Sequence, residues 1–389
     1  MRRTALAALS LSTALLPLSV TNAAARPAAD APAKRTPTPE VTAATVNAFA
    51  RAANTLFTDR TTALVEDSPP GRTASKTTSA PGTVRLAAAA AKTETAALAS
   101  LHETRTRLAE TGEAYTGSDT EVTVDSVQVR GRTATAQVTE DSTLTYAKIR
   151  GDEPATTAFV AHHELTFAAA PDGTWQLTGE RLTDQGPRPL NAPVQMAAPA
   201  APGAARPSDV IDAPRAAITY PAPARAKNLG TGARYKYAAM ATYAEKHWKY
   251  YNSAYRQYGG DGGDCTNFLS QALYAGGWKQ VTKAGSEYGT WYSKASGESL
   301  TWIGVNEWSW FTQTARRTTP LANAYQMDIG DVLQLDFDKN GSKEHSMLTT
   351  YRSASGVPYL TYHSADTYRR SLISLIAANP KAAYYAYRS

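Results

Sequence analysis

The chain has 389 residues with 22 prolines, 25 glycines and a single cysteine, 42% hydrophobic residues and a formal net charge of +6. The length suits two domains or three small ones. One cysteine excludes an intrachain disulfide, a zinc site of several thiolates and an iron–sulfur cluster held by this chain alone. An isoelectric point of about 9.2 favours anionic surroundings, whether nucleic acid, anionic membrane or anionic wall polymer, without choosing among them.

Arg2 and Arg3 precede an apolar run from Ala5 to Val20, and Ala23-Ala24-Ala25 fits a small-residue cleavage site. Residues 1–25 therefore read as a secretory signal peptide. No later run approaches the ~18 apolar residues that span a bilayer, so the expectation is an exported protein with no membrane span. Residues 26–37 are rich in Ala and Pro and read as a flexible lead. A helix is expected to open at Thr38-Pro39-Glu40, with Val46, Phe49, Ala50, Ala53 and Phe57 at helical spacing. A loop follows over 66–82, then a second helix over 84–110.

The period then changes to two. Val122 and Val124, the runs 133–147 and 158–168, and Trp175 with Leu177 read as about four antiparallel strands, with turns at Gly131 and at Pro171-Asp172-Gly173. Residues 38–185 thus form a small α+β domain of two helices and about four strands. Its element order alone resembles the NTF2-like or cystatin-like folds. His162 and His163 are adjacent, face opposite sides of a strand, and read as structural or exposed rather than as ligands. Residues 186–225 hold nine of the 22 prolines and much alanine, which resists helix and sheet and makes a semi-extended linker. Beyond Arg225 lie six of the seven tryptophans and eighteen of the 21 tyrosines, marking an aromatic core or a substrate groove over 226–389.

The most informative stretch is Gly259-Gly260-Asp261-Gly262-Gly263-Asp264-Cys265-Thr266-Asn267-Phe268-Leu269-Ser270-Gln271. A glycine-rich loop feeds an apolar helical pattern that Gly276-Gly277 stops, and Asp264 is placed to cap it. Cys265 then sits in a first turn, where free N–H groups and the helix dipole favour a thiolate and could face an oxyanion. Such a nucleophile needs a base, usually histidine. His247 lies on an expected helix over 235–250 and suits a surface or packing role. His345 lies on a strand over 343–351 that follows the turn Asp338-Lys339-Asn340-Gly341. His363 lies on the next strand, 359–364, placed to orient the His345 imidazole, with Asp366 the alternative. The string from Asp336 to Gly341 matches the start of a calcium loop. Its twelfth position is Met347 where a bidentate Glu is required, so a hairpin turn is expected there.

Asp264-Cys265-Thr266-Asn267-Phe268, Ser270-Gln271, Ala275-Gly276-Gly277-Trp278, Gly330-Asp331-Val332, Glu344-His345-Ser346 and His363-Ser364 together resemble an amidase-domain family of secreted bacterial proteins. That family is related to the CHAP and NlpC-type cell-wall hydrolases of the papain-like superfamily. The resemblance covers residues 234–389 and leaves the preceding domain and linker outside it. It implies a papain-like α+β domain, with the helix bearing the nucleophile packed on an antiparallel sheet. It implies Cys265 as nucleophile, His345 as base and His363 as the third polar residue. Asp264 would hold a substrate amino group, a role that competes with capping. Thr266-Asn267 stands where NlpC-type relatives carry Ser-Gly, which keeps their chemistry but not their substrate specificity.

The expected function is a secreted cysteine amide hydrolase acting through a thioester on peptidoglycan peptides or amide links. The chemistry calls for no metal or organic cofactor. Anionic wall polymers are candidate partners, and nucleic acid is not. Two alternatives stand beside it: an inactive papain-like module that binds cell wall, and a proteinase or acyltransferase using the same residues.

Overall fold

A computed structural model describes residues 42–65, 84–193, 206–259 and 264–389. The signal peptide, the flexible lead, the helix opening at 38–40, the 66–82 loop, linker residues 194–205 and glycine-loop residues 260–263 lie outside the described residues.

Helix α1 (Ala43–Thr62) starts where the Thr42 side chain accepts a hydrogen bond from the Thr45 N–H. Phe49, Ala53, Leu56 and Phe57 recur on one face and are buried. A short strand, β1 (Arg85–Leu86), takes the place of the expected first turn of the second helix. That helix, α2, runs Ala88–Glu110. Four strands follow as a meander: β2 (Tyr115–Arg130), β3 (Thr133–Tyr146), β4 (Thr156–Ala169) and β5 (Trp175–Leu182). The β2–β3 and β4–β5 turns fall at Gly131 and Gly173, as the turn signals predict. Phe49 stacks on Phe167 at 3.8 Å between ring centroids, joining α1 to the sheet in one apolar core.

Beneath this layer runs a buried chain of charges. Arg60 donates to Glu94 at 2.7 Å and to Glu180 at 2.9 Å. His163 meets Glu180 at 2.9 Å and Glu140 at 3.2 Å. Removing one member would leave a buried charge uncompensated, at a cost of about 3–5 kcal/mol. His163 is thus a structural residue. His162, on the opposite face, is exposed.

The C-terminal region begins with α3 (Tyr237–His247) and α4 (Cys265–Ala275). A small hairpin, β6 (Ser293–Lys294) and β7 (Gly297–Glu298), precedes the single turn α5 (Leu300–Ile303) and helix α6 (Val305–Thr314). Strands β8 (Thr319–Leu321), β9 (Val332–Asp336), β10 (His345–Arg352), β11 (Pro358–Tyr362), β12 (Thr367–Ser371) and β13 (Ala383–Arg388) form the sheet, with α7 (Leu372–Ala378) between the last two. Trp278, Trp291, Trp302 and Trp308 are fully buried with Phe268, Leu269 and Met240. These tryptophans form a core rather than a groove.

The strand order is β1-β5-β4-β12-β11-β10-β9-β13-β8, with β3 also paired to β4 and β2 paired to β3. Strand β4 pairs antiparallel with β12, Thr367 opposite Phe159 and Tyr368 opposite Ala158. One mixed α+β sheet, antiparallel except for β1 against β5, therefore runs through the N-terminal layer and the C-terminal region. Local pattern does not reveal this join. Within the Pro/Ala-rich stretch, residues 206–225 form no helix or named strand. They nevertheless dock on the C-terminal sheet through Ala216 N–H to the Tyr384 carbonyl at 2.7 Å and Ala217 N–H to Ala322 at 2.8 Å.

Candidate active site

Helix α4 carries Cys265 as its first residue. Its C-terminus closes as the glycine pair predicts. Gly277, at φ 97°, donates to the Tyr274 carbonyl, and the Trp278 N–H reaches back to Leu273. The Cys265 thiol is 2% exposed. Burial pushes its pKa up, while the Ser346 backbone N–H and the Thr266 hydroxyl pull it down. The Thr266 hydroxyl lies 3.7 Å from the sulfur.

Asp264 occupies the N-cap position but makes no side-chain cap bond. Its Oδ1 accepts from the Tyr258 N–H at 3.1 Å and from Asn267 Nδ2 at 2.8 Å. Its Oδ2 accepts from His363 Nδ1 at 2.8 Å. The capping expectation is therefore corrected: stronger, charge-assisted partners turn the carboxylate away from the helix amides. The same bonds hold it among protein donors, where the resemblance implies a substrate amino group.

His345 opens β10, opposite Leu335 on β9. Its place on a strand is as expected. Its ring is fully buried and stands edge-on to Tyr362 at 5.2 Å. Neither ring nitrogen has a hydrogen-bond partner among the described residues. Burial, and then the charge of His363, pushes its pKa from 6.5 down to about 3. His345 makes no hydrogen bond to the Cys265 sulfur.

His363 differs from expectation in place and partner. It lies one residue beyond β11, before a turn in which Ser364 and Ala365 adopt φ of 68° and 55°. Nδ1 faces Asp264, and Nε2 donates to the His247 carbonyl at 2.9 Å. The carbonyl can only accept, so Nε2 carries a proton, and Nδ1 shares one with the Asp264 carboxylate. The ring is sandwiched between Tyr251 at 3.9 Å and Phe268 at 3.8 Å. With both nitrogens committed, His363 makes no hydrogen bond to His345. Asp366 does not make one either. It accepts from the Tyr251 hydroxyl at 3.1 Å and the Ser364 N–H at 3.0 Å, and burial pushes its pKa up to about 6.

What links the two leading residues is a bond between their neighbours. Thr266 and Ser346 share a hydrogen bond at 2.9 Å, fully buried. Ser346 also accepts from Gln334 on β9 at 3.0 Å, and the Tyr387 hydroxyl on β13 donates to Gln334 Oε1 at 2.7 Å. This ladder ties α4 to three strands and sets where Cys265 and His345 stand. Ser346 was visible in sequence only as the residue after a candidate base. The aromatic sandwich of Tyr251 and Phe268 carried no local signal.

The calcium-like string is a turn, as expected. Asp336 accepts from the N–H groups of Asn340 and Gly341 at 3.1 and 3.0 Å. The carboxylates of Asp336, Asp338 and Glu344 do approach within 4.8 Å of one another. Arg215 stands 3.6 Å from Asp336 and supplies positive charge to the group.

Comparison with known proteins bears on this region. Residues 234–387 match the model of a family described as "Putative amidase domain", which supports an amidase-like family for the C-terminal part of the chain. An uncharacterized protein of Bacillus subtilis (strain 168), YhbB, is 26% identical over 145 residues. The match takes in 36% of this chain and 45% of that protein, so the chain spans less than half of the relative's length. Among solved structures, the intermembrane space region of chloroplast protein ARC6 aligns at 17% identity, over 34% of this chain and 95% of that one. Its TM-score of 0.22 is too low to argue a shared fold.

Proposed function

We propose that the chain is an exported, cysteine-dependent amide hydrolase of papain-like type, acting on peptidoglycan peptides or amide links. The carrying observation is the buried 2.9 Å bond between Thr266 and Ser346. It locks together the residues that immediately follow the thiol and the imidazole, on a helix start and a strand start. The amidase-family match over 234–387 supports amide chemistry. Export rests on the N-terminal sequence pattern. The choice of wall peptide rests on export combined with the +6 charge.

In the proposed reaction, Cys265 gives its proton to His345 as substrate arrives, and the sulfur attacks the amide carbonyl carbon. The oxyanion faces the Cys265 N–H at the positive end of α4. His345 returns the proton to the leaving nitrogen, the C–N bond breaks and a thioester remains. His345 then takes a proton from water, hydroxide adds to the thioester, and the thiol leaves with that proton. Asp264 and His363 act together as a positioning pair beside the nucleophile. Asp366 and Tyr251 hold the turn that carries His363.

A second reading is a wall-binding module without catalysis, favoured by the missing Cys265–His345 hydrogen bond. Digestion of purified peptidoglycan by the wild type and by Cys265→Ser separates the two. The hydrolase predicts new amino groups, lost by roughly a thousandfold or more in the variant. Wall binding with no amine release from either protein would overturn it.

A further inference from the structure

We infer that residues 184–193 are a built-in strap that closes the site over His345 and must lift before substrate is turned over; this rests on the hydrolase reading above. Gly186 lies against the base. A Cβ built on it would stand 3.1 Å from His345 Nδ1 and 2.9 Å from the Ser364 carbonyl oxygen. The backbone of Gly186 therefore fills the space between the imidazole and the β11–β12 turn. Its φ of 144° is one that glycine adopts freely. Only a residue without a side chain fits there.

The consequence for His345 is plain. A base must exchange protons with a substrate or a water. Here both ring nitrogens are buried without a partner among the described residues. The ring stands edge-on to Tyr362 on β11, a strand paired in the sheet, whereas the strap belongs to no strand.

Side-chain contacts pin the strap, among them those of Asp184, Arg370 and Asn191. Asp184 accepts from the His162 N–H at 2.6 Å and meets its ring at 3.0 Å. Arg370 donates to the Arg188 carbonyl at 2.5 Å. Asn191 donates to Glu140 at 2.7 Å. Pro187, Pro189 and Leu190 are buried between the pins. Two pins end on β3 and β4, so the N-terminal layer holds the cover over a base that the C-terminal region supplies. The prolines offer no N–H to a strand ladder. The strap can thus lift by breaking a few side-chain bonds and uncovering two prolines and a leucine, leaving the sheet intact.

The test is carbethoxylation of His345 by diethyl pyrocarbonate, followed peptide by peptide by mass spectrometry on the full chain. Gly186→Val wedges the strap outward, and Asn191→Ala removes a remote pin. Slow modification in the wild type and a roughly tenfold or greater increase in both variants is expected, with amide hydrolysis rising in parallel. Wild-type modification as fast as that of free imidazole, or no change in either variant, would overturn the strap. The two readings fail separately. Faster modification with no hydrolysis of any wall peptide keeps the strap and removes the amidase. Wild-type hydrolysis equal to that of both variants removes the strap and keeps the amidase.

Discussion

His345 holds the account together at the scale of single residues, because its environment makes a measurable claim about pH. Its folded pKa is pushed from 6.5 to about 3. Across that window the unfolded chain binds a proton that the folded chain refuses. Stability from this group therefore rises with pH and is complete only above 6.5. Asp366, pushed up to about 6, works in the opposite sense. Its folded form keeps a proton that the unfolded form has released, so stability falls as pH rises from the usual carboxylate range to about 6. A difference measurement isolates the histidine. In scanning calorimetry, His345→Gln should lose less melting temperature than the wild type between pH 6.5 and about pH 4. Equal losses would show that His345 is not held neutral by burial. At this scale the sequence singled out candidates but not their hydrogen-bond partners. Cys265 stood out as the one thiol before an apolar helix, and His345 as a strand histidine after a turn. The bond from Asp264 to His363 joins residues 99 positions apart. It follows from the stacking of three rings that only the fold assembles.

At the scale of elements, the ladder from Thr266 through Ser346 and Gln334 to Tyr387 fixes α4 on the sheet. Thr266→Val keeps the volume and removes the hydroxyl. Urea denaturation should report a loss of about 1 kcal/mol. The kcat should fall with KM little changed, since the alignment of thiol and base is disturbed rather than the binding of substrate. An unchanged kcat with the same stability loss would make the ladder purely structural. Helix α4 was legible in the sequence because local chemistry specifies it: Phe268, Leu269, Ala272 and Leu273 on one face, and a glycine pair at the stop. The end of β11 was not. The expected strand ran to 364, but the observed one stops at Tyr362, because the chain turns through two residues of positive φ. Nothing in His363-Ser364-Ala365 announces that turn.

At the scale of the whole molecule, the chain departs furthest from beads on a linker. Pairing of β4 with β12 makes one sheet of two sequence regions about 200 residues apart. Neither Thr156–Ala169 nor Thr367–Ser371 carries a local mark of its partner, which is why the join was not foreseen. Within 186–193 and 206–225 the prolines did foretell irregular backbone, but not that it docks. Expressed alone, residues 226–389 would present β12 as an open edge beside an uncovered His345. That fragment should melt well below the full chain and aggregate more readily, and a melting temperature equal to the full chain's would contradict a structural role for the join. The central claim, a covalent amide hydrolase built on Cys265, is tested most directly by acid-quenching the full chain during reaction with peptidoglycan peptides and weighing the peptide that contains Cys265. The account predicts an acyl adduct on that cysteine, transient in the wild type and absent in Cys265→Ser together with amine release. Amine release by Cys265→Ser at the wild-type rate, with no acyl mass on Cys265 in the wild type, would contradict it.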